Sequence, residues 1–574
     1  MRKLLMRSLR LHSLRYLNLE ENNLANCSDW FQVIGKLHSL KTLTSHSCYL
    51  RPLSNISSNF VSIDLSFNQL QGSIPDSSQH MVYLEHLSLM FNELEGGIPK
   101  FFGNMLNLSD NKLAIIQNMS SGCLKNSLES LHLEVNHFTG PIPDLGGFSS
   151  MKRLYLSDNL LNGTINKSIG QIFKLEITCL SQNSLTDLAN IQIKGKLPDL
   201  SSRFGTSNPG IDISSNHFEG PIPPLPSNSS FLNLSKNRFS RSISLCSISG
   251  SKLTYIDLSS NLLSGKLPDC WWMFDSLVIL DLGNNSFSGR IPDSMGFLQN
   301  IQTQFTQQQF NRRTVFIVWE LLTTQTFESW EERFVRLKSN KFHGKTPFQL
   351  CQFAFLQVLD LSLNNISGKI PKCFNNFTAM TQERSSDPTI KVYYYTFVGP
   401  PYVHHYSFQD KVMPTWKGSG REYRSTLGLI KSLELSSNKL NGAVPEEIMD
   451  LVGLVALNLS RNHLTGQNSP KIGQLKSLDF LDLSRNQLVG GIPSSLSPLS
   501  VLSVMDLSYN NLSGKIPTGT QLQSFNGSVY AGNPELCGLP LPNKCRDEES
   551  APGPGMTEGR DDADTSEDDM KISL

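Results

Sequence analysis

The chain has 574 residues, and its 50 basic and 50 acidic side chains give a formal net charge of zero. This balance gives no sign of a nucleic-acid partner. No stretch reaches the roughly 18 apolar residues that a membrane-spanning helix needs. The longest candidate, Leu451 to Leu459, is interrupted by Gly453 and Asn458. Internal repeats have to be sought before the length is divided into domains.

The first residues, MRKLLMRSLRLHSLRYL, have the basic start of a secretory signal. Arg7, Arg10 and Arg15 nevertheless interrupt the apolar segment that such a signal requires. The leucines fit the repeat described next. We therefore expect neither a targeting signal nor a membrane anchor in the sequence.

One pattern, L-x-x-L-x-L-x-x-N-x-L-x-G-x-I-P, recurs along the chain and is clear from Ile63 to Pro75. Its usual period of 24 residues lies in the range of leucine-rich repeats, and a phase held over many copies is a specific signal. We name the asparagine of each copy the anchor and each copy a coil. The eighteen anchors, one of them a cysteine, are Asn22, Cys48, Asn68, Asn92, Asn111, Asn136, Asn159, Asn183, Asn216, Asn237, Asn261, Asn285, Asn340, Asn364, Asn438, Asn462, Asn486 and Asn510.

The pattern predicts an α/β leucine-rich-repeat solenoid with a curved parallel sheet on its concave face and an irregular or 3-10 convex side. In a short strand alternate residues point inward, so Leu433 and Leu435 belong to the core and Glu434 faces solvent. The anchor amide is expected to satisfy backbone groups where the chain turns. No coil buries its leucines alone, so the stacking of neighbouring coils supplies the stability. Concave positions such as Asp257, Ser259, Asp281, Asp482 and Ser484 are polar and identify no ligand.

Three gaps interrupt the spacing of the anchors. Asn183 and Asn216 are 33 residues apart, Asn285 and Asn340 are 55 apart, and Asn364 and Asn438 are 74 apart. In the second gap the leucine and asparagine positions hold glutamine and threonine. We therefore interpret residues 300–335 as a damaged or partly deleted repeat.

The third gap contains about fifty extra residues, which we name the island and place at residues 374–428. It is rich in aromatic side chains, among them Tyr395, Tyr406, Trp416 and Tyr423, and Lys417 follows Trp416. Such residues are typical of binding hot spots, which favours a contact surface for a ligand or co-receptor. The alternative is a loop that packs its aromatics against the solenoid. His404 and His405 have no ligand-spaced Cys, Asp or Glu beside them, so we expect no metal site and no cofactor.

The phase of the repeat also brings cysteines together. Cys246 and Cys270 each lie nine residues after their anchors, which predicts a disulfide between adjacent coils. Cys373 shares this phase, and Cys351 lies two residues off it, one coil earlier. Cys537 and Cys545 close a small loop after the last coil. The partners of the remaining four cysteines, Cys27, Cys48, Cys123 and Cys179, cannot be assigned from the sequence.

Fourteen N-x-S/T sites and the predicted cap disulfide favour an oxidising compartment and a glycoprotein. From Arg546 onward the tail has ten acidic and three basic residues, a net charge of −7, which leaves +7 on residues 1–545. This composition predicts a disordered tail. The predicted domains are leucine-rich repeats at 1–373, the island at 374–428, the last four repeats at 429–530, a cysteine cap at 531–545 and the acidic tail at 546–574.

The G-x-I-P form of the repeat resembles that of plant extracellular leucine-rich-repeat proteins. The segments from Leu14 to Ile34, from Leu359 to Phe374 and from Gly532 to Gly538 resemble plant receptor-like proteins, and the subgroup similar to the ethylene-inducing-xylanase receptors fits best. The resemblance covers nearly the whole chain.

This resemblance implies a plasma-membrane receptor, exposed on the extracellular side, that has no kinase domain. Such receptors sense microbial molecules in plant defence and signal through co-receptor and adaptor receptor kinases. The ligand would be an extracellular peptide, protein or glycan. The family's island commonly carries a Lys-x5-Tyr motif, matched here by Lys417 and Tyr423, and the island and last repeats meet the ligand and co-receptor.

The sequence departs from this family pattern at both ends, since no paired-cysteine N-terminal cap precedes the first coil and no membrane helix follows the tail. One alternative is therefore a non-functional truncated copy. Another is a secreted inhibitor of a cell-wall-degrading enzyme, similar to the polygalacturonase-inhibiting proteins, which are shorter and lack the island. No phosphate loop, zinc motif or nucleophile elbow is present, so we do not expect an enzyme.

Overall fold

Short parallel strands recur once per coil in a computed structural model of the chain, which confirms the predicted solenoid. The structure describes residues 13–22, 24, 34, 37–50, 59–75, 83–98, 103–116, 127–145, 147–163, 177–181, 184–185, 210–246, 248, 253–298, 333–382, 392–395, 405–408, 415–416, 419–420 and 430–545.

One sheet of eighteen strands, one from each coil, runs along the concave face and joins every coil to the next in parallel. We number the coils 1–18 in chain order. Their strands are Tyr16–Asn18, Thr42–Thr44, Ser62–Asp64, His86–Ser88, Met105–Asn107, Ser130–His132, Arg153–Tyr155, Ile177–Cys179, Gly210–Asp212, Phe231–Asn233, Tyr255–Asp257, Ile279–Asp281, Arg333–Arg336, Leu356–Asp360, Ser432–Glu434, Ala456–Asn458, Phe480–Asp482 and Val504–Asp506.

A second strand follows the anchor in most coils, which the sequence analysis did not predict. These strands pair in parallel in two sheets of three and one of eleven. They are Gln71–Ser73, Glu93–Gly97 and Lys112–Ile115, then Thr139–Gly140, Leu160–Gly163 and Ser184–Leu185, then Glu219–Gly220, Arg238–Arg241, Leu262–Lys266, Ser286–Gly289, Lys341–Gly344, Asn365–Gly368, Lys439–Gly442, His463–Gln467, Gln487–Gly490, Asn511–Lys515 and Glu535–Cys537.

The convex side returns through short helices, as predicted. The 3-10 helices are Trp271–Met273, Asp293–Phe297, Phe348–Gln352, Lys372–Asn376, Glu446–Asp450, Pro470–Gln474, Ser494–Leu496 and Gly527–Tyr530, and the α-helices are Thr378–Thr381 and Thr520–Ser524. No helix within the described ranges has both the length and the hydropathy of a membrane span.

Each anchor asparagine ties its coil to the preceding one. The amide nitrogen of Asn486 donates to the carbonyls of Leu459, Leu483 and Ser484 at 3.0–3.2 Å, and its oxygen accepts from the backbone N–H of Leu464 at 3.0 Å. A bond to a backbone carbonyl of the preceding coil recurs at the other anchors that the sequence analysis singled out. The acceptor is Ser45 for Asn68 and a leucine for Asn261, Asn364, Asn438, Asn462 and Asn510. The described asparagine anchors thus bond the backbone as expected.

Cys48, the one anchor that is not asparagine, is buried, and its thiol donates to the carbonyl of Leu19 at 2.8 Å. It keeps the donor role of the amide toward the preceding coil. Cys48 and Cys179 are buried free thiols, whereas Cys27, Cys123 and the anchor Asn183 lie outside the described residues.

The residue before each anchor, which we name the corner residue, has left-handed backbone geometry. In all seventeen described coils that contain it, φ lies between 51° and 59°. Its N–H continues the ladder beyond the strand, as from Arg485 to the carbonyl of Ser508 at 2.8 Å. Outside glycine and asparagine this conformation is costly, and the coil stacking imposes it on other residue types; most of these corners hold serine, asparagine, aspartate, lysine or arginine.

The first two gaps in the spacing do not interrupt the concave sheet. Ile177 pairs with Gly210 across the first gap, and Ile279 pairs with Phe334 across the second. Asn340 donates to the carbonyl of Leu282 at 3.0 Å, as a successive coil would. The regular strand Arg333–Arg336 therefore begins within the interval that we interpreted as a damaged repeat, and residues 299–332 lie outside the described residues.

The cap after coil 18 repeats the hydrogen bonds of an anchor asparagine. Asn533 acts as a further anchor, since its amide donates to the carbonyls of Leu507 and Tyr530 at 3.0 and 2.9 Å and its oxygen accepts from Leu512 at 3.0 Å. The disulfide Cys537–Cys545 closes the loop with a Cα separation of 5.0 Å. The cap thus shields the last leucines, and the acidic tail lies outside the described residues.

Burial distinguishes the potential glycosylation sites. Asn107 and Asn458 stand in concave strands and are buried, and their side-chain oxygens accept from the N–H of Ser109 and Ser460. Asn284, Asn365 and Asn511 are exposed. The exposed sites can carry a glycan without disturbing the fold, whereas the two buried sites cannot.

We predict that Asn486→Leu destabilises the C-terminal coils. The substitution leaves a buried backbone N–H and several carbonyls without partners, at a cost of about 1–3 kcal/mol for each unsatisfied group. Thermal unfolding of the purified chain measures the loss. Gln487→Leu, an exposed neighbour in the same coil, is the matched control. Equal melting temperatures for the two variants would contradict the role assigned to the anchor.

Candidate functional site

The island is inserted between coils 14 and 15 without a break in the sheet. Val358 pairs with Ser432, and Asp360 pairs with Glu434. The amide of Asn438 donates to the carbonyl of Leu361 at 2.9 Å, and its oxygen accepts from the N–H of Ile366 at 2.9 Å. The chain thus leaves and rejoins the solenoid as though the intervening residues were absent.

The solenoid continues further into the predicted island than the sequence suggested. Phe374, Phe377 and Met380 are fully buried in the core, in or beside the helices Lys372–Asn376 and Thr378–Thr381. The described solenoid ends at residue 382 and resumes at residue 430. The expected start of the island at residue 374 is therefore corrected to a position after Gln382.

Two hydrogen bonds fix the base of the island. The buried ammonium group of Lys431 donates to the carbonyl of Gln382 at 2.7 Å, and the N–H of Gly453 donates to the carbonyl of Met380 at 2.8 Å. The disulfide Cys351–Cys373, with a Cα separation of 5.5 Å, joins the two coils before the island. The exit and return points are therefore held by coils 13–16. A second disulfide, Cys246–Cys270, joins coils 10 and 11 as its phase predicted, with a Cα separation of 5.8 Å.

Within the island the structure gives two antiparallel strand pairs. Strand Val392–Tyr395 pairs with His405–Phe408, so that Tyr395 stands opposite His405 and Tyr394 opposite Tyr406. Strand Thr415–Trp416 pairs with Ser419–Gly420. Lys417 and Tyr423, and the side chains of Tyr395, Tyr406 and Trp416, lie outside the described parts of the chain. Their binding roles remain predictions.

A ladder of charged side chains crosses the concave sheet beside the island. In register on coils 11–15 stand Asp257, Asp281, Arg336, Asp360 and Glu434. The guanidinium of Arg336 lies 3.1 Å from a carboxylate oxygen of Asp281 and 3.5 Å from one of Asp360. One arginine thus stands among four carboxyl groups of this ladder.

Burial in this ladder shifts the titration of its acids. Burial and the neighbouring Asp281 raise the pKa of Asp257 to about 7. The prediction that Glu434 faces solvent was wrong, because this side chain is buried in the ladder. Burial and Asp360 hold the pKa of Glu434 well above its usual range, although Lys338 acts in the opposite direction. The charged forms are disfavoured because the carboxyl groups lie close together away from water.

An apolar row runs beside this ladder, and the sequence analysis missed it. Phe231, Tyr255, Ile279, Phe334 and Val358 stand in register at the start of coils 10–14. They point away from the leucine core yet are 2–4% exposed, and they form a cluster of their own with Ile430. The signal in the sequence is an apolar residue two positions before the ladder residue in five successive coils.

The corner residues of the last coils form a basic and aromatic edge. Arg461, Arg485 and Tyr509 are exposed on coils 16–18, and the guanidinium of Arg485 lies 4.2 Å from the centre of the Tyr509 ring. Cation–π pairs of this kind are frequent contacts in recognition surfaces. The island base is therefore followed by exposed side chains suited to protein contacts.

Comparison with protein families identifies leucine-rich repeats at residues 59–81, 83–105, 252–274, 276–298, 355–377, 477–499 and 501–521. The chain is similar to tomato receptor-like protein EIX2, with 44% identity over 62% of this chain and 36% of that protein. Receptor like protein 27 of Arabidopsis thaliana is 31% identical over 71% of this chain and 52% of that protein. The chain thus spans about a third to a half of the length of these two relatives.

Solved structures show the same fold. The plant peptide hormone receptor RGFR1, in complex with RGF2, superposes with a TM-score of 0.59 at 23% identity, covering 92% of this chain and 87% of that one. A TDR receptor gives a TM-score of 0.55 at 23% identity, covering 92% and 90%. At this identity the likeness concerns the solenoid architecture.

We predict that Gly453→Ala disturbs the base of the island. A Cβ atom at Gly453 would overlap the carbonyl oxygen of Gln382, and backbone atoms cannot give way as a flexible side chain can. The expected loss of stability is about 1–3 kcal/mol. Gly491→Ala is the control, because the atom nearest to its added Cβ, the carbonyl oxygen of Ser513, would be 3.8 Å away. Denaturant unfolding of both variants measures the difference, and equal midpoints would refute a tight base.

We also predict that the chain melts at a lower temperature at about pH 7.5 than at about pH 5. A carboxyl group whose pKa is higher in the folded state binds more protons there, so stability falls as pH rises from about 4, the value in unfolded chains, through about 7 for Asp257. Asp257→Asn keeps the acceptor for the N–H of Ser259 and should reduce the difference. Asp64→Asn is the control. Asp64 accepts from the N–H of Ser66 in the same way, but the residues beside it on the neighbouring strands, Thr44 and Ser88, carry no charge. An unchanged pH dependence in Asp257→Asn would contradict the prediction.

Proposed function

We propose that this chain, which contains leucine-rich repeats and is similar to plant receptor-like proteins, forms the ligand-binding ectodomain of a cell-surface receptor in plant defence. The ligand is an extracellular molecule of microbial origin, and the signal passes through partner receptor kinases at the plasma membrane. The island and the last four coils form the main surface for ligand and co-receptor. Since the chain spans only part of its relatives, these whole-protein roles are proposals.

The observation that carries the proposal is the unbroken solenoid beneath the island. The strands of coils 14 and 15 pair directly, and Lys431, Gly453 and a disulfide hold the points where the island leaves and returns. A binding loop loses less freedom on contact with a partner when its ends are already fixed. An insertion that only filled a defect would not require such a base.

The last four coils supply a suitable scaffold beside this base. Their anchors keep a spacing of 24 residues, and they expose Arg461, Arg485 and Tyr509 along one edge. The direct pairing of strand Ile279–Asp281 in coil 12 with residues 334–336 in coil 13 also supports an intact solenoid over a degenerate copy. An aromatic and cationic island next to a rigid edge matches the composition of known hot spots.

We predict that Lys417→Ala combined with Tyr423→Ala weakens capture of a co-receptor kinase ectodomain in the presence of ligand by about tenfold or more. Interface anchors of these residue types often contribute 2 kcal/mol or more, which corresponds to about thirtyfold. Surface plasmon resonance measures the capture, with a purified microbial xylanase as the first ligand because the resembled subgroup is named for it.

The matched control combines Tyr49→Ala with Lys236→Ala, which are exposed and lie in coils 2 and 10, far along the chain from the island. Thermal unfolding is measured on both double variants. Reduced capture with unchanged melting supports the contact role. Normal capture by the well-folded Lys417/Tyr423 variant, in a system where the unmodified chain responds, would refute it.

A further inference from the structure

Three corner residues near the start of the solenoid are bulky and apolar. Phe67, Phe91 and Val135, in coils 3, 4 and 6, have φ values of 53°, 52° and 55° and remain 43%, 41% and 43% exposed. The left-handed conformation is unfavourable for bulky and β-branched residues. Exposure also deprives these residues of about two fifths of the surface that full burial would remove from water. Neither packing nor backbone geometry therefore explains why such residues occupy these corners.

The two phenylalanines form a ready-made contact surface. Their ring centres lie 4.3 Å apart with planes at 19°, and His46 on coil 2 lies 4.8 Å from Phe67. Stacking restricts both rings before any partner arrives. Rigid aromatic groups lose little side-chain entropy on binding and contribute a large contact area.

The same edge is acidic. In coils 1–7 the corner residues and the residues before them include five acids and no lysine or arginine; the acids are Glu20, Glu21, Asp110, Glu134 and Asp158. In coils 11–18 the same positions hold Lys338, Arg461 and Arg485 and no acid. Burial, Glu134 and Asp158 raise the pKa of Asp110 to about 6. The two ends of the solenoid thus present opposite charge along one edge.

We propose that the edge formed by Phe67, Phe91, Asp110, Val135 and Asp158 binds an extended segment of a partner protein in which every second residue faces the edge, and these facing residues alternate between apolar side chains and lysine or arginine. The five residues occupy the corners of five consecutive coils, which at about 4.8 Å per strand span roughly 19 Å. An extended segment of about six residues has this length. Its apolar side chains contact the exposed rings and Val135, and its cations lie beside Asp110 and Asp158.

Charge complementarity selects this occupant. A partner with an acidic contact segment is repelled by the carboxylates of Asp110, Glu134 and Asp158 in these coils, and a purely cationic one leaves Phe67 and Phe91 uncovered. The edge lies in coils 3–7, whereas the surface assigned to ligand and co-receptor consists of the island and coils 15–18. This proposal therefore does not depend on the proposed function.

The test uses the full chain and a defined probe, the acetylated peptide amide Leu-Ser-Lys-Ser-Leu-Ser-Lys, with binding measured by titration calorimetry, because its leucines and lysines lie on one face of an extended chain. Phe67→Ser combined with Phe91→Ser should lower its affinity about tenfold, and Asp110→Asn several-fold. Serine occupies the corner in coils 2, 9, 11, 13 and 15, so the double variant should fold, and thermal unfolding confirms this. Leu363→Ser is the matched control, because Leu363 is a corner residue of coil 14, 48% exposed, with φ of 54°.

The comparison peptides are Leu-Ser-Glu-Ser-Leu-Ser-Glu and Gly-Ser-Lys-Ser-Gly-Ser-Lys. Tight binding of the probe alone, lost in the Phe67/Phe91 variant and kept in Leu363→Ser, supports the proposal. Equal binding of the glycine–lysine peptide would show attraction by charge alone and would overturn it. Absence of probe binding, or equal loss in the Leu363→Ser control, would overturn it as well.

Discussion

The solenoid depends on one interaction, the hydrogen bonds that the inward-pointing side-chain amide of each anchor makes with the backbone. An asparagine such as Asn462 donates to a carbonyl of its own coil and to one of the preceding coil, and accepts from the N–H of Leu440. The chain can therefore turn away from the strand without leaving backbone N–H and C=O groups unpaired in the apolar interior. Because the same side chain reaches the neighbouring coil, each anchor also fixes the distance between the two stacked coils. At Cys48 a single side-chain donor toward the preceding coil is sufficient, since the thiol donates to the carbonyl of Leu19.

The same constraint explains why the fold tolerates long insertions. What the solenoid requires of coil 15 is Asn438 in place and a strand in register, and both are satisfied although 74 residues separate it from the preceding anchor. Loop-closure entropy rises slowly with length, so a long excursion costs little more than a short one once its ends are fixed. At this insertion the cost falls on the base, where Gly453 must lack a side chain and Lys431 must be buried.

The fold could be predicted from the sequence because the period of leucines and asparagines repeats the same physical requirement eighteen times. The second parallel strands escaped prediction, since residues such as Lys439 and Asn441 carry no apolar alternation and pair only because the coils already stand in register. Asn533 escaped as well, because the cap has no leucine pattern around it. The solenoid extends to Gln382, beyond the predicted start of the island, because Phe377 and Met380 fill the core in place of leucines. The charged ladder with Arg336 required the pairing of strands far apart in sequence.

In a repeat protein the informative positions are those where a coil departs from its neighbours without loss of the core. Each coil contacts only the adjacent ones, so a substitution on the surface of one coil is not propagated through the molecule. Arg336 replaces an acid in a ladder of acids, and Phe67 and Phe91 replace small polar residues at corners where the backbone disfavours them. Neither change improves packing in the leucine core, which is complete without them. The guanidinium of Arg336 contacts Asp281 and Asp360 within the sheet, which accounts for its place there. Phe67 and Phe91 occupy strained corners and remain more than 40% exposed, which favours a role in contacts outside the fold.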